Sequence, residues 1–121
     1  MSIAVIVVIA VFFVGMGGYA LAAPAALIRP FGVTLDSPVS RSEVRAVYGG
    51  FGLAIAAVLV YAALRGGDVA KGILLTVGVA LLGMALGRIV SAVVDTRTGF
   101  YPNWFYFIVE VLAAAALFAV A

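Results

Sequence analysis

Neither cysteine nor histidine occurs in this chain of 121 residues. The missing thiols exclude disulfide frameworks, thiol redox chemistry and thiolate metal sites, and the missing imidazoles remove the commonest general base and metal ligand. Charge is scarce as well. Asp, Glu, Lys and Arg together make up 10% of the chain, against about a quarter in soluble domains. The carboxylates are Asp36, Glu43, Asp68, Asp95 and Glu110, and their scatter lacks the spacing of a metal-binding motif. The residues thus point to no metal and no cofactor, and an enzyme is the least favoured class. A formal charge of +2 without a basic patch interleaved with aromatics implies no nucleic-acid partner.

What the chain has in abundance is hydrocarbon. Apolar residues reach 67%, well above the half that is typical of soluble domains, so the lipid bilayer is the expected main solvent and partner. A bilayer core needs roughly 20 apolar residues per helical crossing, so four crossings with short connections use the whole chain. The expected architecture is all-α, an integral membrane four-helix bundle forming a single membrane domain over 1–121, with spans at about 3–28, 41–64, 69–94 and 102–121.

Local chemistry sets these limits. The first span is stopped by Arg29-Pro30. Ala20-Leu21-Ala22 has the small residues of a signal-peptide cleavage site, yet Met1-Ser2-Ile3 carries no positive charge and the apolar run is long, so the segment reads as a retained helix. Loop chemistry follows over 31–39. Ser40-Arg41-Ser42-Glu43 then reads as a capping box, with Ser40 and Glu43 each satisfying a backbone N–H at the start of the second helix. Arg65-Gly66-Gly67-Asp68 makes a tight connection, Asp95-Thr96-Arg97-Thr98-Gly99 breaks the third span, and Pro102 suits the first turn of the fourth.

An even number of spans puts both termini on the same side. Arg29, Arg41, Arg45 and Arg97 flank the first and third loops, whereas the second has Arg65 and Lys71. The positive-inside rule then places loops one and three of this multi-pass chain in the cytoplasm and both termini outside. The aromatics of 100–107 read as an interfacial belt.

Two charges lie too deep for the interface. Arg88 falls roughly 10 Å inward from the end of the third span and Glu110 roughly 12 Å inward from the start of the fourth, at the α-helical rise. An unpaired Arg in hydrocarbon costs at least about 2.5 kcal/mol, so the two are expected to face each other. Ser91 and Asp95 share a face with Arg88 on the third helix, and Arg45 and Tyr48 approach from the second. The candidate polar or ligand site is therefore Arg88, Glu110, Ser91, Asp95, Arg45 and Tyr48. Gly83 and Gly87 form a G-x-x-x-G that lets a neighbouring helix approach closely.

The run Glu43-Val44-Arg45-Ala46-Val47-Tyr48-Gly49-Gly50, followed by Gly87-Arg88-Ile89-Val90-Ser91, Asp95 and Glu110, resembles a family of small bacterial four-helix membrane proteins called domain of unknown function 4345. The likeness covers nearly the whole chain. It implies a four-helix protein of the bacterial inner membrane and supplies no reaction. Two functional readings remain open. One is a non-enzymatic membrane component whose buried Arg/Glu cluster sets the packing of its own helices, of a membrane-protein partner or of a homo-oligomer. The other is a small transporter or ligand-binding protein for an anionic or zwitterionic solute or a lipid headgroup.

Overall fold

The computed structural model describes residues 2–121. It is all-helical, with no strand among the described residues. In chain order the elements are α1 (Ile3–Ala22), α2 (Pro24–Ile28), a 3-10 turn (Arg29–Phe31), α3 (Pro38–Val44), a π-turn (Arg45–Gly50), α4 (Phe51–Arg65), α5 (Gly67–Val94), a second π-turn (Phe100–Trp104) and α6 (Phe105–Val120). α3, the first π-turn and α4 run on as one rod. Four stretches, Ile3–Ala22, Pro38–Arg65, Gly67–Val94 and Phe100–Val120, are long and apolar enough to cross a membrane.

Three boundaries differ from the expectation, each for a local reason. The first helix does not run unbroken to residue 28. It ends at Ala22, because Pro24 lacks an N–H and pushes Ala23 out of the helical region, to φ −141° and ψ 66°, so that the short α2 follows as a separate piece. The second rod starts at Pro38 and is capped by Ser37, not by Ser40. Ser37 takes an extended conformation before Pro38, its Oγ accepts the Ser40 N–H at 3.1 Å, and the Ser40 Oγ accepts the Ser37 N–H at 3.2 Å. A proline at the first helical position favours this register over one starting three residues later. Ser40 thus serves as the third helical residue of the box, while Glu43 is exposed and takes no part. In the fourth rod regular α-helix begins at Phe105, since Tyr101, preceding Pro102, is extended at φ −96° and ψ 136°.

The connection between α4 and α5 is the tightest in the chain. Gly66 carries φ 66° and ψ −172°, a combination that is essentially reserved for glycine, and Gly67 follows at φ 65°. The turn needs both glycines.

Packing differs between the two ends of the molecule. At the end that holds this turn all four long helices share one core, which includes Ile6, Leu59, Leu74 and Leu117, all fully buried. Toward the other end α1 stays against the first π-turn, and α5 stays against α6. The α1 contact is intimate. A Cβ placed on Gly17 would meet the Gly49 carbonyl oxygen at 2.9 Å, and one placed on Gly49 would meet the Leu21 side chain at 2.7 Å. Arg45 completes this joint by donating from Nε to the Leu21 carbonyl at 3.1 Å, one of the carbonyls left open at the end of α1. Between the two helix pairs the molecule opens into a cavity.

Much of the remaining surface is apolar. Val8, Val11, Val58, Val79, Leu86 and Leu112 all point outward.

Candidate functional site

The site grows from the spacing on two antiparallel helices. Arg88 lies near the end of α5, and Asn103, Tyr106 and Glu110 stand at intervals of three and four residues, which bring them to one face of the fourth rod. Across that contact Arg88 Nε donates to Glu110 Oε1 at 2.8 Å and Arg88 Nη2 to Oε2 at 3.0 Å, a two-pronged pair in which planar guanidinium meets planar carboxylate. Arg88 Nη1 donates to Asn103 Oδ1 at 3.2 Å. The Glu110 side chain is 6% exposed and that of Arg88 20%.

The aromatic walls add to this. The guanidinium carbon lies 5.8 Å from the centre of the Tyr106 ring and 6.0 Å from that of Phe31, within range for a cation over a π face. Phe31 and Tyr106 in turn pack together, with centroids 5.6 Å apart, and Tyr101 stands 6.2 Å from Tyr106.

The ion pair closes the polar end of the cavity, which measures about 620 Å³. Its walls come from α1 (Val8, Phe12, Met16 and Tyr19), from the α2 region (Ile28 and Phe31), from Tyr48, from α5 (Leu81, Met84 and Arg88) and from the fourth rod (Tyr101, Tyr106, Val109, Glu110 and Ala113). Apart from one guanidinium, one carboxylate and four phenols, this lining is apolar. Val8, Phe12 and Met84 stay 68%, 46% and 46% exposed, so the cavity opens sideways between α1 and α5 rather than only at the end of the bundle.

Of the residues singled out in the sequence, the structure brings together three. Arg88 and Glu110 form the pair, and Tyr48 lines the same cavity. The other three stand apart, so what was expected as a charged cluster is one salt bridge. Arg45 is engaged by α1. Ser91 turns to a separate, more polar pocket with Thr96, Arg97, Asn103 and Trp104. Asp95 is exposed and accepts the N–H of its neighbour Thr96 at 2.8 Å. The reason is geometric: a stripe seven residues long on one helix face rises roughly 10 Å, so Asp95 has left the depth of Arg88. Gly83 and Gly87 likewise serve no internal contact, since a Cβ on either meets nothing within 4 Å. On α5 the close approach falls at Gly78, where a Cβ would meet the Phe118 ring, while the glycines of the second rod, Gly49 and Gly52, do form a close-packing surface against α1.

Asn103, Tyr106 and Phe31 escaped the sequence reading as site residues. For Asn103 a signal existed. A guanidinium has five N–H donors and a carboxylate engages two of them edge-on, so a further acceptor was required on the same face of the fourth rod, and Asn103 stands two turns from Glu110. No comparable rule would have drawn Phe31 in from the 3-10 turn.

The family model for Domain of unknown function (DUF4345) matches residues 2–121. The chain belongs to this family. No curated protein and no solved structure matches it. Every residue of the pair and of its aromatic surround lies inside the matched range. No group of His, Cys, Asp and Glu suited to a metal ion occurs among the described residues.

Proposed function

We propose that the chain is a non-enzymatic, multi-pass component of a cell inner membrane that binds a small amphipathic molecule entering from the lipid. One observation carries this reading: an apolar cavity of about 620 Å³, open at the side, ends on a partly buried ion pair. Ligand sites have this volume and this composition, mostly apolar walls with a few convergent polar groups at one end. A pair whose sole task was to lock α5 to α6 would be expected between tightly closed helices. Here it also forms a cavity wall.

The outward apolar side chains and the four long helices support membrane insertion, and the arginines around loops one and three support a cytoplasmic position for those loops, with both termini on the opposite side. The lateral opening then faces the acyl chains. The test is to purify the protein in mild detergent, extract it with organic solvent and identify by mass spectrometry what leaves it. Wild type is expected to release one small amphiphile in near-stoichiometric amount, and Met84→Trp, which fills the mouth, is expected to release little. Equal recovery from both, or none from wild type even after reconstitution with native lipid, would refute the reading.

A further inference from the structure

From the hydrogen bonding at the end of the cavity we infer that its ligand, taken as the amphiphile proposed above, carries no charge: its headgroup is a planar ring bearing carbonyl oxygens, and its tail is hydrocarbon. Three observations lead there.

The first is charge balance. Among the described residues of the cavity wall, Arg88 and Glu110 are the only Asp, Glu, Lys or Arg, and they pair with each other through two hydrogen bonds. An anionic headgroup would have to displace Glu110 or lie beside its carboxylate, and a cationic one would meet the guanidinium. Either must shed its hydration in an apolar cleft with no free counter-charge to replace it. An uncharged headgroup avoids both costs.

The second is the count of donors. Of the five guanidinium N–H groups, two go to Glu110 and one to Asn103, which leaves two without a partner among the described residues. The phenols of Tyr19, Tyr48, Tyr101 and Tyr106 line the same space, and each can donate an O–H. Phenols accept as well as donate, so the surplus of donors rests on the two remaining guanidinium N–H groups, which are complementary to acceptors such as carbonyl oxygens.

The third is shape. Phe31, Tyr101 and Tyr106 gather at the polar end with ring centroids 5.6 Å and 6.2 Å apart, a surface against which a flat ring can pack. Farther along, the lining is aliphatic and opens between Val8, Phe12 and Met84, where a tail leaves for the bilayer.

The experiment compares three probes with one identical saturated tail, carrying a benzoquinone, a carboxylate or a phosphate. Binding to the full chain in detergent micelles is measured by native mass spectrometry. Wild type is expected to bind the quinone one to one and at least about tenfold more tightly than either anion, a difference of about 1.4 kcal/mol. Glu110→Gln removes the internal counter-charge and is expected to reverse the order, with the carboxylate now preferred. The headgroup comparison on wild type decides the matter even where Glu110→Gln fails to fold. Tighter binding of either anion to wild type would overturn the neutral headgroup while leaving the binding function intact. Failure of all three probes, together with unchanged behaviour of Met84→Trp, would remove both.

Discussion

The Arg88–Glu110 pair permits a quantitative test of what holds α5 against α6. Taking away one member of a buried pair strands the other, at a cost of about 3–5 kcal/mol, whereas exchanging both for apolar residues of similar size is often nearly neutral. Exposure decides where each single change falls in that range. Glu110 is 6% exposed, and Arg88→Leu leaves its carboxylate with no donor from Arg88, so about 4 kcal/mol is expected. Arg88 is 20% exposed and keeps Asn103, Tyr106 and Phe31 after Glu110→Leu, so about 3 kcal/mol is expected. The double variant should return to within about 1 kcal/mol of wild type. The assay is reversible unfolding in mixed micelles as the denaturing detergent fraction rises, followed by helical circular dichroism and by the emission of Trp104, the single tryptophan. Strong non-additivity is the signature. Single losses below about 1 kcal/mol that simply add in the double variant would refute the view that the pair is buried and mutually dependent.

Three further outcomes follow from particular residues. Gly17→Ala and Gly49→Ala should each destabilise by about 1–3 kcal/mol through overpacking, measured in the same unfolding assay, while Gly83→Ala and Gly87→Ala, which meet open space, should lose no stability. Ser37→Ala should cost about 1 kcal/mol through loss of the cap at Pro38, and Glu43→Ala less than about 0.5 kcal/mol; the reverse order would restore the cap to Ser40. Because the chain lacks cysteine, single-cysteine variants report topology directly. Asp36→Cys and Thr98→Cys should be labelled from one side of sealed vesicles by an impermeant maleimide and Asp68→Cys from the other. Labelling of all three from the same side would contradict the proposed crossings.

Composition and periodicity determined much about this protein without coordinates. Four stretches of apolar residues, each long enough to cross a bilayer as a helix and separated by Gly, Pro, Asp and Ser, give the number of long helices and their approximate limits from local chemistry. The same holds for the meeting of Arg88 with Glu110. Antiparallel neighbours joined by a short loop must bring residues of equal depth together, and burial of a lone charge is too costly to leave either unpaired. Competing local signals were harder to rank. Ser37-Pro38 and Ser40-x-x-Glu43 both announce a helix start, and only the conformation adopted before Pro38 chooses between them.

Tertiary structure alone decided what surrounds the pair. Arg45 could have joined it, but the carbonyl of Leu21 came within reach once Gly17 and Gly49 let α1 and the first π-turn close together. Phe31 comes from the 3-10 turn that follows α2, beyond the break at Pro24. The cavity itself is a property of no single helix. It exists because α1 keeps to the π-turn and α5 keeps to α6 at one end while all four long helices share a core at the other, a difference in packing between non-neighbouring segments that spacing along one strip of sequence does not encode.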